Sequence, residues 1–246
     1  MDPSTSGSFP SVNRDAKPTY CGSKRVVNYV WNLELLRGCE IIEGSLEIIL
    51  IESKEDISGE WEKYSFPELV QITGFLLIYR VDGLVSLGHL FPNLAVIRGT
   101  ILHQRYALVI YEALHMEKIN LYSLTSILRG SVRIQNNFNL CYISTVDWSL
   151  ITSNEVAGMD NVFKRNNDYT CPPCNTSECH RCWGSSKCQK MCPPECRGGC
   201  TSKGECCHEF CIGGCYEPHN SSACFACRNV SYKGDCVNAC PRISYK

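Results

Sequence analysis

A mainly β protein in two unlike parts is what this sequence predicts: a stack of short β repeats followed by a segment built on disulfides. Three observations carry that prediction. A unit of the form apolar-x-Gly-x-apolar-x-apolar recurs through residues 42–134, with a spacing in the range of solenoid repeats. Sixteen of the 19 cysteines crowd into residues 171–246, a density found in disulfide scaffolds made in oxidising compartments. The same segment holds no leucine, so cross-links rather than a conventional core must stabilise it.

Taken in order, residues 1–20 are rich in Ser, Pro, Thr and Gly and are expected to be a disordered leader, with little apolar surface to offset ordering entropy. They contain no apolar stretch of the kind an export signal needs, so the signal that the cysteines call for is expected outside this sequence. Residues 21–170 form the repeat domain. Its units are Ile42-Glu-Gly44-Ser-Leu46-Glu-Ile48, Ile72-Thr-Gly74-Phe-Leu76-Leu-Ile78, Ile97-Arg-Gly99-Thr-Ile101-Leu-His103 and Leu128-Arg-Gly130-Ser-Val132-Arg-Ile134, with glycines 30, 25 and 31 residues apart. Alternation along a strand sends the second and fourth residues after each glycine to one face. That inner set is Leu46, Ile48, Leu76, Ile78, Ile101, His103, Val132 and Ile134, aliphatic except for His103, which reads as a hydrogen-bonded structural residue.

The opposite face carries Glu47, Ile49, Leu77, Tyr79, Leu102, Gln104, Arg133 and Gln135. With rungs about 4.8 Å apart, Ile49, Leu77, Tyr79 and Leu102 would form one contiguous apolar patch. An exposed strip of that kind with polar edges predicts a protein-binding surface, unless a loop covers it.

Residues 171–246 form the third unit. Three glycosylation sequons fall there, at Asn175, Asn220 and Asn229, and suit a secretory route. Cys171-Pro-Pro-Cys174 and the pairs Cys179/Cys182 and Cys224/Cys227 share the C-x-x-C spacing of redox and zinc sites. A redox site needs a βαβ context, which is absent, and zinc needs a reducing compartment. Small disulfide loops fit better, and no metal or cofactor is expected. His208 lacks the second histidine of a metalloprotease helix, and neither a phosphate loop nor a G-x-S-x-G elbow is present, so no catalytic residue is assigned. A net charge of −1, from 24 basic and 25 acidic residues, argues against a nucleic-acid partner.

Several stretches resemble the first leucine-rich L domain of the insulin receptor family. They are Gly74-Phe-Leu-Leu-Ile-Tyr-Arg-Val-Asp-Gly83, Leu90-Phe-Pro-Asn-Leu-Ala-Val-Ile-Arg-Gly99, Tyr106-Ala-Leu-Val-Ile-Tyr111, Arg129-Gly-Ser-Val-Arg-Ile134, Asn139-Leu-Cys-Tyr142 and Val146-Asp-Trp148. Arg181-Cys-Trp183, Cys188-Gln-Lys190, Cys206-Cys-His208 and Ala226-Cys-Arg-Asn229 resemble that family's furin-like region. Epidermal-growth-factor-type receptors share both modules, but Asp147-Trp148 and Ala226-Cys-Arg-Asn229 are closer to the insulin class.

The resemblance implies a right-handed β-solenoid followed by a furin-like rod, binding an insulin-like peptide hormone on the solenoid's outer sheet. It places ligand contacts at Asn28, Ile49, Leu50, Leu77, Tyr79, Arg80, Tyr111 and Glu112, to which the patch adds Leu102. Glu52, His103 and Gln104 stand where the family commonly has aromatics, and Arg25 and Asn136 replace residues of different charge. It also implies the disulfides Cys21–Cys39, Cys141–Cys171, Cys174–Cys182, Cys179–Cys188, Cys192–Cys200, Cys196–Cys206, Cys207–Cys215, Cys211–Cys224 and Cys227–Cys236. Cys240 is left over, its partner expected past Lys246.

The family's second L domain, fibronectin repeats, membrane helix and kinase, and the short receptor helix that completes the primary hormone site, are expected only in a longer parent. Any membrane attachment would come from there. Three functions compete: an extracellular hormone-binding receptor portion working with the rest of the receptor or a second receptor chain, a secreted decoy that sequesters the hormone, and a cysteine-cluster metal or redox protein. Free-thiol counting and metal analysis separate the third from the others, and transcript sequence separates the first two.

Overall fold

Apolar alternation organises the computed structural model, which describes residues 18–53, 55–153, 160–166, 171–174 and 179–241. The leader expected over residues 1–20 lies outside the described residues up to residue 17. Thr19 is already tied in, its carbonyl accepting from the Glu40 and Ile41 amides at 3.1 Å.

The strands of the first part are β1 (Tyr20–Val27), β2 (Ile41–Ile51), β3 (Gln71–Ile72), β4 (Leu76–Val81), β5 (Val96–Ile97), β6 (Tyr106–Tyr111), β7 (Ser126–Ile127), β8 (Ser131–Gln135) and β9 (Val162–Lys164). Every pairing among them is parallel and forms two ladders that share β2. In the first, Ile41 and Ile42 of β2 begin the run β2-β3-β5-β7. In the second, the rest of β2 begins the run β2-β4-β6-β8-β9, with β1 along its other edge.

Between the ladders the chain turns at the repeat glycines. A side chain on Gly74 would come within 2.7 Å of the Gly44 carbonyl oxygen, and one on Gly99, whose φ is +67°, would run into the carbonyl of Arg129. The rungs therefore approach at these corners more closely than a Cβ permits. Inside the stack, Leu46, Leu76, Leu108 and Val132 are in register, as are Ile48, Ile78, Ile110 and Ile134, all fully buried.

The third rung corrects the reading of the sequence. Its strand lies not at 101–104 but at β6, so Leu108 and Ile110 fill the places assigned to Ile101 and His103. Ile101 is 58% exposed. His103 instead exchanges backbone hydrogen bonds with Tyr106 at 3.0 Å, closing a turn in which Gln104 has a φ of +60°. An imidazole in an aliphatic interior would lack hydrogen-bond partners, whereas Tyr106–Tyr111, after a register shift that turns both Ala107 and Leu108 toward the core, puts only aliphatic side chains inward. The glycine repeat marked the corner and not the start of the strand.

Among the described residues the second part holds three antiparallel strand pairs, β10 (Cys182–Gly184) with β11 (Lys187–Cys188), β12 (Cys211–Cys215) with β13 (Cys224–Cys227), and β14 (Val230–Tyr232) with β15 (Asp235–Val237). Disulfides join Cys21 to Cys39, Cys141 to Cys171, Cys174 to Cys182, Cys179 to Cys188, Cys192 to Cys200, Cys196 to Cys206, Cys207 to Cys215, Cys211 to Cys224 and Cys227 to Cys236. Cys240 is a free, exposed thiol. Asn220 caps a short 3-10 turn, accepting from the Ser222 amide and donating to Glu217 at 2.9 Å, and Asn229 is exposed. Asn175 lies outside the described residues.

The cysteine modules seat against the first ladder. Ile212 and Ala226 pack on Ala95 and Val96, Arg98 donates to the carbonyls of Cys227 and Arg228, and Trp183 meets Trp148 edge to face at 5.5 Å. Arg181 holds Asp147 at 3.0 Å. That arrangement directs the second ladder's outward side chains away from the contacts just described.

Candidate ligand-binding face

Two rows of outward side chains cross the second ladder. Register fixes one as Arg25, Glu47, Leu77, Val109, Arg133 and Val162, and the other as Val27, Ile49, Tyr79, Tyr111, Gln135 and Lys164. Ile49, Phe75, Leu77, Tyr106 and Val109 form a continuous apolar cluster, flanked by Val27, Tyr79, Tyr111 and Val162. Charge borders it. Arg25 pairs with Glu47 at 3.2 Å at one end, and Arg133 lies 5.7 Å from the Tyr106 ring and 5.6 Å from the Tyr111 ring at the other. Gln135 and Gln104 accept hydrogen bonds from the same guanidinium.

Each long rung then ends on a left-handed residue. Asn28, Leu50, Arg80, Glu112 and Asn136 have φ between 50° and 68°, a region costly for side chains other than Asn. After the last four of these the kink inverts the alternation, so Ile51, Val81, Ala113 and Asn137 point inward and are at most 1% exposed, whereas Tyr29, after Asn28, is exposed. Strict alternation would have buried Leu50; the kink leaves it 39% exposed. Four of the residues the resemblance nominated, Asn28, Leu50, Arg80 and Glu112, thus share one corner. Periodicity alone held no signal for that corner.

The corner is electrostatically organised. Arg80 Nε donates to Glu112 at 2.7 Å and the Asn136 amide donates to the Tyr111 hydroxyl at 2.9 Å. The hydrogen bond from Arg80 chiefly holds the Glu112 carboxyl below the ordinary carboxylate range, and the same bond raises Arg80.

Two expectations about the patch need correction. Leu102 is not on this face: its side chain packs on the main core beside Gly99 and Gly130, because the chain at 100–105 is a loop rather than a rung. Val109 takes its place, and Phe75 and Tyr106 extend the cluster. Nor is the strip open, since Ile49 and Leu77 are 5% and 7% exposed. Closely stacked rungs let large neighbours shield one another, so the accessible apolar surface lies at Leu50 and the half-buried Tyr79 and Tyr111, whose rings are 5.7 Å apart.

Residues 38–152 match the receptor L domain family and residues 157–246 match the furin-like cysteine-rich region. Over 92% of its length the chain is 43% identical to the insulin receptor of Xenopus laevis and 42% identical to the insulin-like growth factor 1 receptor of the same species. It is 41% identical to a putative molluscan insulin-related peptide(s) receptor of Lymnaea stagnalis. The chain belongs to the insulin receptor family.

It spans 18% of the length of each Xenopus receptor and 14% of the molluscan one. What it carries is an L domain joined to a furin-like cysteine-rich region, the part it shares with its receptor homologues, and neither is a catalytic domain. No helix among the described residues is long and apolar enough to cross a membrane. Among the same residues no group of three His, Cys, Asp or Glu side chains is placed to hold a metal ion.

Proposed function

We propose that this receptor portion binds an insulin-like peptide on the outer face of the second ladder, working with the rest of a receptor or a second receptor chain. The observation that carries the reading is the joining of an apolar centre to a charged, left-handed corner on one face. Ile49, Leu77 and Val109 give a firm floor, Tyr79 and Tyr111 present ring edges above it, and Leu50, Arg80 and Glu112 form an accessible rim. Amphipathic rings over a desolvated floor are the usual energetic centre of a protein interface. The names of the Xenopus and Lymnaea relatives support an insulin-like peptide as the class of ligand.

The test is calorimetric titration of the chain with insulin-like peptides, comparing wild type with Tyr79→Ala. Removing a central ring is expected to weaken binding by about 2 kcal/mol or more. Thermal melting is expected to change little, because Tyr79 is half-buried and outside the main core. A folded Tyr79→Ala that binds like wild type would move the hormone site to another surface.

A further inference from the structure

A second surface lies where the two parts of the molecule meet. Between Tyr122–Ser123 and the cysteine modules runs a groove of about 500 Å³, walled by Lys187, Lys190, Met191, Tyr216 and Phe225 and floored in part by the Thr201–Ser202 turn. Among the described residues no carboxylate lines it. The Lys187 ammonium stands 5.2 Å from the Tyr122 ring centroid, and that of Lys190 stands 5.8 Å from the Phe225 centroid. Lys190 also donates to the Cys200 carbonyl at 2.7 Å.

Lys190 is an anomaly in this setting. Burial pushes its ammonium below the ordinary lysine value. A half-buried cation whose described partners are one carbonyl and one ring face is only partly compensated for lost hydration. Across the groove the Tyr216 ring meets Phe225 edge to face at 4.7 Å. Its hydroxyl is pushed up by burial and then by Glu40, so it keeps its proton. The groove therefore offers two cations beside apolar walls, including the exposed Met191.

We propose that this groove binds an aryl sulfate, the group carried by an O-sulfated tyrosine in an acidic peptide, with the oxyanion between Lys187 and Lys190 and the ring against Tyr216 and Met191. Two ammonium groups suit one anionic head, whereas a sulfated polysaccharide requires a longer track of cations. Sulfate is the oxyanion ester suited to an extracellular chain, and its single charge does not titrate near neutrality. Aromatic and methionine walls favour a flat apolar body behind it.

The experiment titrates the whole chain with N-acetyl-O-sulfotyrosine amide, the unsulfated amide, inorganic sulfate and a heparin hexasaccharide, followed by NMR. Sulfotyrosine is expected to bind at least about tenfold more tightly than the unsulfated amide or free sulfate. Lys190→Gln should abolish that preference, and Lys187→Gln should weaken it roughly tenfold. Lys187 is exposed, so its variant keeps the test valid if Lys190→Gln fails to fold. Equal binding of sulfated and unsulfated amides, indifference to Lys187→Gln, or hexasaccharide binding that sulfotyrosine does not compete would each overturn the proposal.

Discussion

The strand stack and the cysteine modules solve the same problem with different materials. In the stack the fully buried positions belong to aliphatic side chains such as Leu46, Ile48, Leu76 and Ile78. In the modules they belong largely to cysteines, with Cys182 and Cys211 at 0%, Cys200 at 1%, and Trp183 as the large exception. One half is held by removing surface from water, the other by restricting the unfolded chain. Each should fail under a treatment that the other survives.

Reduction gives the largest separation. Seven disulfides lie wholly within residues 174–236, with sequence separations of 8 to 13, and each loop of that size contributes on the order of 2–3 kcal/mol. In hydrogen exchange with a phosphine reductant, amides of β10–β15 are expected to lose protection while those of Ile48, Ile78 and Ile110 keep theirs. Simultaneous loss in both halves would mean that the packing of Ile212 and Trp183 makes them one cooperative unit.

Truncation inside the stack comes next, and it tests the corrected third rung. Ile110→Ala removes a fully buried side chain and should lower stability by roughly 2–5 kcal/mol in denaturant titrations. Ile101→Ala, at a position 58% exposed, should stay within about 0.5 kcal/mol of wild type. Reversed values would restore the strand to 101–104.

A polar residue extends the same comparison. Asn137 is fully buried. It accepts from the Ala113 amide at 2.9 Å and donates to the Ile110 carbonyl at 3.2 Å and to Asn166 at 3.0 Å. Asn137→Ala would leave those rung ends without partners and is expected to cost about 1–3 kcal/mol, read in the same titrations.

What was legible follows from which force acts. Leu46, Ile48, Leu76 and Ile78 announce their burial by alternation, since hydrophobic burial writes a period into the sequence. The glycine corners were equally visible, because close approach of rungs admits no side chain. Leu102 misled because a loop of the same length and apolar character imitates a rung until its hydrogen bonds are known. Asn137 and the left-handed corner were invisible: neither a buried amide network nor a φ inversion at Leu50 or Arg80 leaves a compositional trace. Of the proposed hormone face, periodicity gave Ile49, Leu77 and Tyr79, and only the resemblance to known receptors gave Asn28, Leu50, Arg80, Tyr111 and Glu112.

The smallest expected effect is at that corner, where neither burial nor covalent linkage acts. Glu112 is held below the usual carboxylate range first by the hydrogen bond from Arg80, against a weaker push upward from burial, with the charge of Arg80 and bonds from Asn136 and Tyr111 adding to it. A carboxyl lowered in the folded state contributes stability above its unfolded pKa and loses it as pH falls through the lower folded value. The contribution is thus intact at neutral pH and disappears only in acid. Water screens a pair at the surface, so global melting is too blunt a readout. Carbon-detected NMR titration of the Glu112 carboxyl should give a midpoint below that of an ordinary glutamate, and Arg80→Gln should bring it up into the ordinary range. A midpoint that ignores Arg80→Gln would assign the shift to Asn136 and Tyr111, and the corner would then be ordered by neutral hydrogen bonds, as the Asn137 network is, rather than by charge.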